Sequence, residues 1–383
     1  MRIAHVITDL RVGGAQVMLQ RLVARLQAGG VHNAVVSLGG VSQQFQTLEE
    51  SGASLHSLHM TANVPSPGAF LRLRRLLAGA RPDVVHTWMY HADLLGGLAA
   101  SVPRVAPVVW GLHHTPHASE RFKPVTRAIM RVNSVLSSRV PDRIICCAHA
   151  SKAAHAVLGY APGKMQVIAN GFDTDTFRPD PSARTSVRQE LGLGPDTPLV
   201  GLMARFHPQK DHRTFVRAGA RLMQRSAAHF VLAGRGVDDG NQNLRAWLDE
   251  TGAPERFHLL GNRDDMPRLM AACDVVSTSS AYGEGLPLVL GEAMSCGVPC
   301  VATDVGDSAL LVGETGRVVA PGDAEALAAA WAAVLDLTCD ERRRQGQRAR
   351  ERVVCHYELT TCVQEHLTLY EGLARSQPGA ARG

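Results

Sequence analysis

Short apolar runs alternate with amphipathic stretches along this 383-residue chain, and no other feature constrains its fold as strongly. The first run, 3–7, is followed by Gly13-Gly14 and then by apolar residues at helical spacing between 18 and 26. This order predicts a strand, a glycine turn and a helix. Strands that alternate with helices form a parallel sheet covered on both faces. We predict further strands of this kind at 33–38, 83–86, 107–112 and 143–147.

A segment rich in Asp, Pro and Gly, from 170 to 198, interrupts the alternation, which resumes at 199–203. A chain of this length holds about two domains, at roughly 100 to 200 residues each. We therefore predict an α/β fold of two doubly wound, Rossmann-like domains, whose ligands bind at the carboxyl ends of the strands. The predicted extents are 1–184 for the first domain, 185–360 for the second, and 361–383 for a C-terminal helix, with a return to the first domain left open, and a frayed tail.

The composition, with 45% hydrophobic and 20% charged residues, is typical of a soluble globular protein. No apolar run reaches the roughly 18 residues that a bilayer span needs. The N-terminus does not match a signal peptide, because Asp9 and Arg11 follow a brief apolar stretch. The eight cysteines include no CxxC pair, and we expect them to be buried thiols. We predict a cytoplasmic protein, with residence at the inner face of the cell membrane left open.

The glycine pair at 13–14 does not match the common nucleotide-binding signatures. It lacks the GxGxxG spacing of a dinucleotide site and the GK[ST] ending of a P-loop. Two glycines that open a helix still let backbone N–H groups approach an anion. An ordinary tight turn explains the same residues, so this motif decides nothing alone.

Two glutamates follow the run at 275–278, in the order Gly283-Glu284-Gly285-Leu286-Pro287 and then Glu292. On one continuous helix, eight residues would separate the two carboxylates by about 12 Å along the axis. They must therefore serve different parts of a ligand, such as the hydroxyls of two sugar rings. Pro287 suits the start of a helix, which leaves Glu284 in the glycine-bounded loop.

Arg205 and Lys210 lie on the loop that follows the run at 199–203. A guanidinium fork and an ammonium group on one loop suit a pyrophosphate. A solvated basic loop is the alternative. That alternative weakens because this loop and the glutamate loop both leave carboxyl ends of strands in the same predicted sheet.

Together these motifs resemble the retaining glycosyltransferases of family 4. That family has the GT-B fold, in which two Rossmann-like domains face each other across a cleft. The resemblance covers nearly the whole chain, and its most specific part is a glutamate pair with Arg and Lys upstream. The residues that carry it are Gly13-Gly14-Ala15-Gln16, Asn170-Gly171-Phe172-Asp173, Arg205, Lys210, Gly261, Glu284, Glu292 and Glu314-Thr315-Gly316.

The resemblance implies a UDP- or GDP-sugar donor that is bound mainly by the second domain. Arg205 and Lys210 would neutralise its diphosphate, and Glu292 would hold the ribose hydroxyls. The donor sugar would lie against Glu284. The other implied contacts are the backbone of Gly285 and Leu286, ahead of Pro287, at the sugar, Gly13 and Gly14 at the phosphate, and Gly261, Asn262 and Arg263 near the base.

The implied reaction moves a hexose or N-acetylhexosamine to a sugar or polyprenyl-linked acceptor, for a surface polysaccharide such as lipopolysaccharide. Cations at the leaving diphosphate lower the barrier to its departure. The resemblance therefore implies a reaction without cofactor, metal or protein nucleophile. Three alternatives stay open: a sugar-nucleotide epimerase, a phosphorylase with lysine-bound pyridoxal phosphate, and a non-catalytic nucleotide-sugar-binding subunit.

Two groups of residues suggest metal sites but are better explained otherwise. Asp173-Thr174-Asp175 spells the DxD motif of the other glycosyltransferase fold, yet it lies in the connection ahead of the linker. His113 and His114 follow a predicted strand without a nearby cysteine, which argues against zinc. In relatives a histidine after this strand touches the donor sugar, so the resemblance implies His113 in that role, with His114 as the alternative register. An ordinary loop histidine also stays open.

The basic residues are unevenly distributed: 1–183 contains 18 Lys and Arg against 10 Asp and Glu, whereas 184–383 contains 22 against 25. The first half is therefore expected to meet an anionic partner. The segment 121–143 carries basic residues four apart among apolar ones, which is typical of a helix lying on anionic lipid. A solvated helix packed on the first domain is the alternative. Nucleic acid is disfavoured as a partner, because aromatic residues make up only 5% of the chain.

Overall fold

The structure is a computed structural model that describes residues 1–11, 13–60, 67–118, 120 and 122–376. The chain divides into two compact units. One consists of Met1–Gly171 and the segment that starts at Leu359, and the other of Phe172–Glu358. Each unit has its own parallel sheet with helices packed on it, so the predicted α/β class is confirmed.

The strands of the first unit are short and parallel. In chain order they are β1 Arg2–Ile7, β2 His32–Ser37, β3 Ser54–Ser57, β4 Val84–Trp88, β5 Val108–Leu112, β6 Arg143–Cys146 and β7 Met165–Val167. In the described residues they form one sheet in the spatial order β3-β2-β1-β4-β5-β6-β7. Every residue of β4 and β5 is buried, as expected for central strands covered on both faces.

Helices connect these strands and cover the sheet. They are α1 Gly14–Ala28, α2 Thr47–Glu50, α3 Pro67–Ala80, α4 Tyr90–Ser101, α5 Pro124–Leu136 and α6 His149–Val157. The core between helices and sheet contains Trp110, Ile144 and Tyr160, each at most 1% exposed.

The second unit repeats the same construction. Its strands are β8 Leu199–Met203, β9 His229–Ala233, β10 Phe257–Leu259, β11 Val275–Ser277, β12 Cys300–Thr303 and β13 Arg317–Val319, in the spatial order β10-β9-β8-β11-β12-β13. Its helices are α7 Pro181–Glu190, α8 His212–Met223, α9 Gln242–Asp249, α10 Met266–Ala272, α11 Leu288–Ser295, α12 Ser308–Val312, α13 Ala324–Leu335 and α14 Cys339–His356. The rings of Phe215, Phe230 and Trp331 fill its core.

The division between the units falls at 171/172, ahead of the predicted 184/185. The reason is the packing of α7, which the sequence assigned to the loop-like zone around the boundary. Arg184 and Arg188 each approach a carboxylate oxygen of Asp274 to 2.7 Å. These ion pairs hold α7 against the second sheet. The connection that precedes α7, from residue 172, therefore belongs to the second unit as well.

The last helix, α15 Leu359–Arg375, belongs to the first unit. Its Tyr370 is fully buried, and the hydroxyl lies 2.7 Å from Nδ1 of His86 on β4. The predicted tail, 376–383, lies outside the described residues except for Ser376.

Two expectations from composition can be checked in the described residues. No helix there combines the length and the hydropathy needed to cross a bilayer. All eight cysteines are free thiols, but Cys339 and Cys355 on α14 are exposed, so the expectation of buried thiols is wrong for these two. α14 is a basic surface helix, and its outward positions are open to solvent.

A group of histidines lies in the core of the first unit. His5, His86 and His366 are 0%, 0% and 4% exposed. The ring centroids of His5 and His366 lie 5.8 and 5.9 Å from that of His86. Burial is the main reason that the pKa of His5 falls to about 3, that of His366 to about 4, and that of His86 well below its usual value. These rings are therefore neutral in the folded unit near neutral pH.

We predict that the first unit loses stability as the pH falls from about 6.5 towards 4. An unfolded histidine titrates near pKa 6.5, so in this window the unfolded chain binds protons that the folded unit excludes. The free energy of unfolding should fall by about 1.4 kcal/mol per pH unit for each of these histidines. Hydrogen exchange of β1 and β4 in increasing urea, at pH values near 7 and near 5, measures the effect.

His366→Leu removes one titrating group and should reduce this pH dependence, and His32→Gln at an exposed position is the surface control. Equal protection of β1 and β4 at both pH values would contradict the assignment of the three rings as neutral.

Candidate functional site

The carboxyl ends of neighbouring strands in the second unit carry most of the residues singled out from the sequence. Five of the loops that leave this edge are 204–211 after β8, 234–241 after β9, 260–265 after β10, 278–287 after β11 and 304–307 after β12. Arg205, Lys210, Gly261, Asn262, Arg263, Glu284, Gly285, Leu286 and Pro287 lie on these loops, and Glu292 lies on α11, which follows one of them. The parallel topology therefore gathers them at one edge of one sheet.

The loops after β8 and β11 are joined by direct hydrogen bonds. The backbone amide of Ala281 donates to the carbonyl of Gln209 at 2.8 Å, and the Gln209 side chain donates to the carbonyl of Gly283 at 2.9 Å. The Ser279 hydroxyl donates to the carbonyl of Lys210 at 2.8 Å. Gln209 is 8% exposed, so its amide works as a buried connection that fixes the two loops to each other.

An ion pair lies where these two loops meet. Nζ of Lys210 lies 2.5 Å from Oε1 of Glu284, and the Ser280 hydroxyl donates to the same oxygen at 2.6 Å. The side chains of Lys210 and Glu284 are 21% and 9% exposed. A carboxylate this buried needs such partners, because an unpaired buried charge is costly. The two charged groups therefore fix each other's position.

Arg205 lies two residues beyond the end of β8 and is exposed, so its guanidinium can reach a ligand. Its Nη2 lies 3.4 Å from the side-chain oxygen of Gln209. The neighbouring amide of Phe206 donates to the carbonyl of Arg235 at 2.8 Å, which ties this loop to the one after β9. Arg205 and Lys210 thus present two cations on one braced loop.

Two glycines allow close approach of backbone segments at this edge. Gly234 has φ +149°, and a Cβ there would lie 2.3 Å from the carbonyl oxygen of Ala204. Gly306 has φ +63°, and a Cβ there would lie 2.3 Å from the carbonyl oxygen of Glu284. No side chain fits in either place, so both positions require glycine. The second contact places the loop after β12 directly against the Glu284 backbone.

Glu292 lies in the second turn of α11 and is 9% exposed. Pro287 occupies the position just ahead of the first helical residue, Leu288, in extended conformation. Glu284 is therefore in the loop and Glu292 on the helix, as the sequence predicts. The amide of Asp307 donates to the carbonyl of Gly285 at 2.8 Å and holds the entry to this helix.

The turn at Gly261 is held by hydrogen bonds to the neighbouring loop after β9. The Gly261 amide donates to the carbonyl of Val237 at 2.8 Å, and its carbonyl accepts from the amide of Gly234 at 2.7 Å. The guanidinium of Arg263 binds Asp265 with two nitrogens at 2.8 Å and Glu190 at 2.6 Å. The hydrogen bond from Arg263 lowers the pKa of Asp265, and the hydrogen bonds to Asp265 and Glu190 raise the pKa of Arg263. The Arg263 side chain therefore braces the turn, while Asn262 is exposed.

The other predicted site residues belong to the first unit. Gly14 is the first residue of α1, and Gly13 precedes it in extended conformation. His113 follows β5, and its ring stacks on Trp88 with centroids 4.5 Å apart. Both ring nitrogens of His113 are inaccessible and have no hydrogen-bond partner in the described residues. Burial lowers its pKa to about 3, so the ring is neutral.

The suspected metal motifs have other roles. Oδ1 of Asp173 accepts from the amides of Asp175 and Thr176 at 3.2 and 3.0 Å, so this carboxylate closes a turn. His114 lies 2.6 Å from a carboxylate oxygen of Glu120. Across the part of the chain that the structure describes, no group of three or more His, Cys, Asp or Glu side chains is arranged to hold a metal ion.

Sequence reasoning missed Gln209, Ser279, Ser280 and Gly234, which hold the loops together. A signal for the glycine was present, since Gly234-Arg235-Gly236 directly follows a strand. The two serines also lie within three residues of the end of a strand, but serine is too common in loops for that position to be informative. Gln209 gave no signal, because its partners on the loop after β11 are more than 70 residues away.

Comparisons with known proteins agree with this geometry. A family model described as "Glycosyltransferase Family 4" matches residues 12–176, and one described as "Glycosyl transferases group 1" matches 197–336. The chain is 28% identical over 250 residues to the UDP-Gal:alpha-D-GlcNAc-diphosphoundecaprenol alpha-1,3-galactosyltransferase of Escherichia coli, a match that spans 64% of this chain and 63% of that protein.

Another relative matches over most of its length. The GDP-mannose-dependent alpha-(1-6)-phosphatidylinositol monomannoside mannosyltransferase of Mycobacterium tuberculosis is 27% identical over 372 residues, which is 92% of each chain. Among solved structures, Anabaena Alr3699/HepE in complex with UDP has a TM-score of 0.85 and 25% identity, over 97% of this chain and 100% of that one. This likeness confirms the predicted GT-B fold.

We predict that Gly306→Ala destabilises the second unit more than Gly322→Ala. Both glycines have positive φ, so both variants carry a backbone strain of about 1–2 kcal/mol. A Cβ at Gly322 would meet nothing within 4 Å, whereas one at Gly306 would collide with the Glu284 carbonyl. The collision should add at least about 1 kcal/mol, as overpacking does. Urea unfolding of the two variants measures the difference, and equal losses would contradict the close approach.

Proposed function

Because the chain belongs to glycosyltransferase family 4, we propose that it transfers a hexose or N-acetylhexosamine from a UDP- or GDP-sugar to a sugar or polyprenyl-linked sugar acceptor. The observation that carries the proposal is the convergence of two cations and two carboxylates at one sheet edge of the second unit. The relatives' names support the substrate classes. One names a UDP-sugar with a diphosphoundecaprenol-linked acceptor, and another names GDP-mannose.

The diphosphate binds Arg205 and Lys210. In this family's reaction the difficult step is departure of a nucleoside diphosphate while the anomeric carbon becomes cationic. Positive charge held beside the leaving oxygen lowers the barrier most when it is preorganised. The Lys210–Glu284 ion pair and the Gln209 connection supply that preorganisation, because they fix the ammonium group before any substrate binds. We assign both cations to stabilisation of the leaving group.

The two carboxylates bind the sugars on either side of the diphosphate. Glu284, with the backbone of Gly285 and Leu286, takes the transferred sugar, and Glu292 takes the ribose. Carboxylates suit these roles because they accept hydrogen bonds from hydroxyls without donating any. Glu284 touches Lys210, so a sugar on Glu284 lies next to a phosphate on Lys210. This adjacency matches the order of groups in a sugar nucleotide.

The base is assigned to the turn at Asn262 and Arg263. The Gly261 amide already donates to the carbonyl of Val237. The backbone groups that hydrogen-bond the nucleotide base are therefore assigned to the next two residues. Both ring nitrogens of the neutral His113 are inaccessible, so this geometry does not favour the predicted contact of His113 with a donor sugar.

We assign a retaining reaction that uses no metal ion or other cofactor. Arg205 and Lys210 together provide the charge that a metal ion would otherwise bring to a diphosphate. Attack on the face that the diphosphate leaves lets that diphosphate take the acceptor's proton, so no protein nucleophile is needed. The product then keeps the donor's anomeric configuration, which NMR can measure. Turnover should also continue when a metal chelator is added. The same acceptor class fits a role in surface-polysaccharide synthesis at the inner face of the cell membrane.

We predict that Lys210→Ala and Glu292→Ala each raise the KM for the donor or lower kcat at least tenfold. For Lys210, loss of one preorganised charge at a leaving group costs roughly 3 kcal/mol. For Glu292, the change removes the acceptor of the ribose hydroxyls. Exposed residues of the same unit and charge, changed as Arg348→Ala and Glu250→Ala, should leave the kinetics unchanged. A thermal-shift screen of UDP-, GDP- and ADP-sugars first identifies the donor, since saturation at 100 times Kd adds about 2.7 kcal/mol of stability.

Unchanged donor kinetics in both Lys210→Ala and Glu292→Ala would reject the site. Conversion of the nucleotide sugar without an acceptor would indicate an epimerase. Absorbance near the visible edge from lysine-bound pyridoxal phosphate would indicate a phosphorylase. Tight donor binding without transfer or hydrolysis would indicate a binding subunit.

A further inference from the structure

Helix α5 presents an apolar and basic side to solvent. Its buried residues are Ile129, Met130 and Asn133, which cluster on one side at about 100° per residue. A helix on the surface of a soluble protein normally carries polar residues on the opposite side. Here the exposed residues on that side include Arg127, Arg131, Val132 and Val135, and Val125, one turn before Ile129, is exposed as well.

These valines are not explained by helix formation, because β-branched residues are poor helix formers. Val132 and Val135 are 45% and 66% exposed, so core packing does not explain them either. Their side chains are available to an apolar environment outside the protein.

The apolar surface continues onto the end of α6. Val157 and Leu158 are 88% and 43% exposed. This end lies beside α5, because the amide of Ala161 donates to the Ser137 hydroxyl at 2.9 Å. Five of the nine large hydrophobic residues exposed in the described chain lie here. The valine–arginine face consists of Val125, Arg127, Arg131, Val132, Val135, Val157 and Leu158.

The charge around this face has one sign. From 122 to 172 the chain contains seven Lys and Arg and a single acidic residue, Asp142. Asp142 is paired with Arg104 at 2.8 Å. Glu120, ahead of α5, lies 2.6 Å from His114. The predicted basic segment began at Arg121, which lies outside the described residues, so the face is defined without it.

We propose that the valine–arginine face docks on an anionic phospholipid membrane. Valines that insert among lipid headgroups and arginines that contact their phosphates together match an interfacial helix. A nucleic acid would need bases stacked on aromatic rings, and the face has none. The proposal deepens the proposed function and rests on it for its purpose, since docking brings the enzyme to a polyprenyl-linked acceptor. Docking itself needs no donor.

The test is co-sedimentation of the full chain with vesicles. One set contains phosphatidylcholine and phosphatidylglycerol in equal amounts, and the other phosphatidylcholine alone. The chain should sediment with the first set and not the second. Arg127→Glu with Arg131→Glu should lower the partition coefficient at least about tenfold, because each basic residue near an anionic surface contributes about fivefold. Val132→Ser with Val135→Ser should lower it several-fold.

The matched control is Arg344→Glu with Arg348→Glu on α14, an exposed pair with the same spacing in the other unit. It should bind vesicles like the unmodified chain, as should Lys210→Gln, so that failure here is separable from failure of the donor site. Circular dichroism confirms that each variant is folded. The proposal is overturned by absence of binding to anionic vesicles, by equal loss in the α14 control, or by serine variants that bind normally while single-stranded DNA competes fully.

Discussion

The candidate site depends on the ion pair between Lys210 and Glu284, which come from loops after two neighbouring strands, β8 and β11. Neither side chain is well placed alone, since one is a flexible cation and the other a nearly buried carboxylate. Paired, and with the Ser280 hydroxyl on the same oxygen, they fix each other. Removing one partner would leave the other charge uncompensated in a poorly solvated place. In the proposed reaction, the interaction that stabilises the loops also holds the charges in place for a diphosphate and its sugar.

Much of this arrangement follows from sequence. Parallel strands that alternate with helices send their carboxyl-terminal loops to one edge, so Arg205 and Glu284 could be placed together before any coordinates were known. The hydrogen bonds and close contacts between residues far apart in the sequence could not be predicted. Gln209 and Gly234 act through partners that only the tertiary fold brings near, and their local sequence is ordinary loop sequence. The unit boundary also differed, because ion pairs from α7 to Asp274 draw this helix into the second unit. The side chain of Arg263 was unreadable for the same reason, since Glu190 lies 73 residues away.

The two units carry different chemistry on one kind of scaffold. The second unit places paired charges at its sheet edge and suits a soluble, highly charged donor. The first unit has a core of neutral histidines closed by α15, and a surface helix that is basic and apolar. In the proposed reaction this division separates a nucleotide sugar from an acceptor held in lipid. The tolerance of the shared scaffold for different loops and faces explains how one architecture serves both tasks.

A crystal structure of the chain soaked with a nucleoside-diphosphate sugar tests the central claim most directly. The account predicts diphosphate oxygens at about 2.7 to 3.2 Å from the guanidinium of Arg205 and the ammonium of Lys210, with the ribose against Glu292. The transferred sugar should lie at Glu284. A ligand bound in the second unit away from these four side chains, or bound elsewhere in the chain, would contradict it.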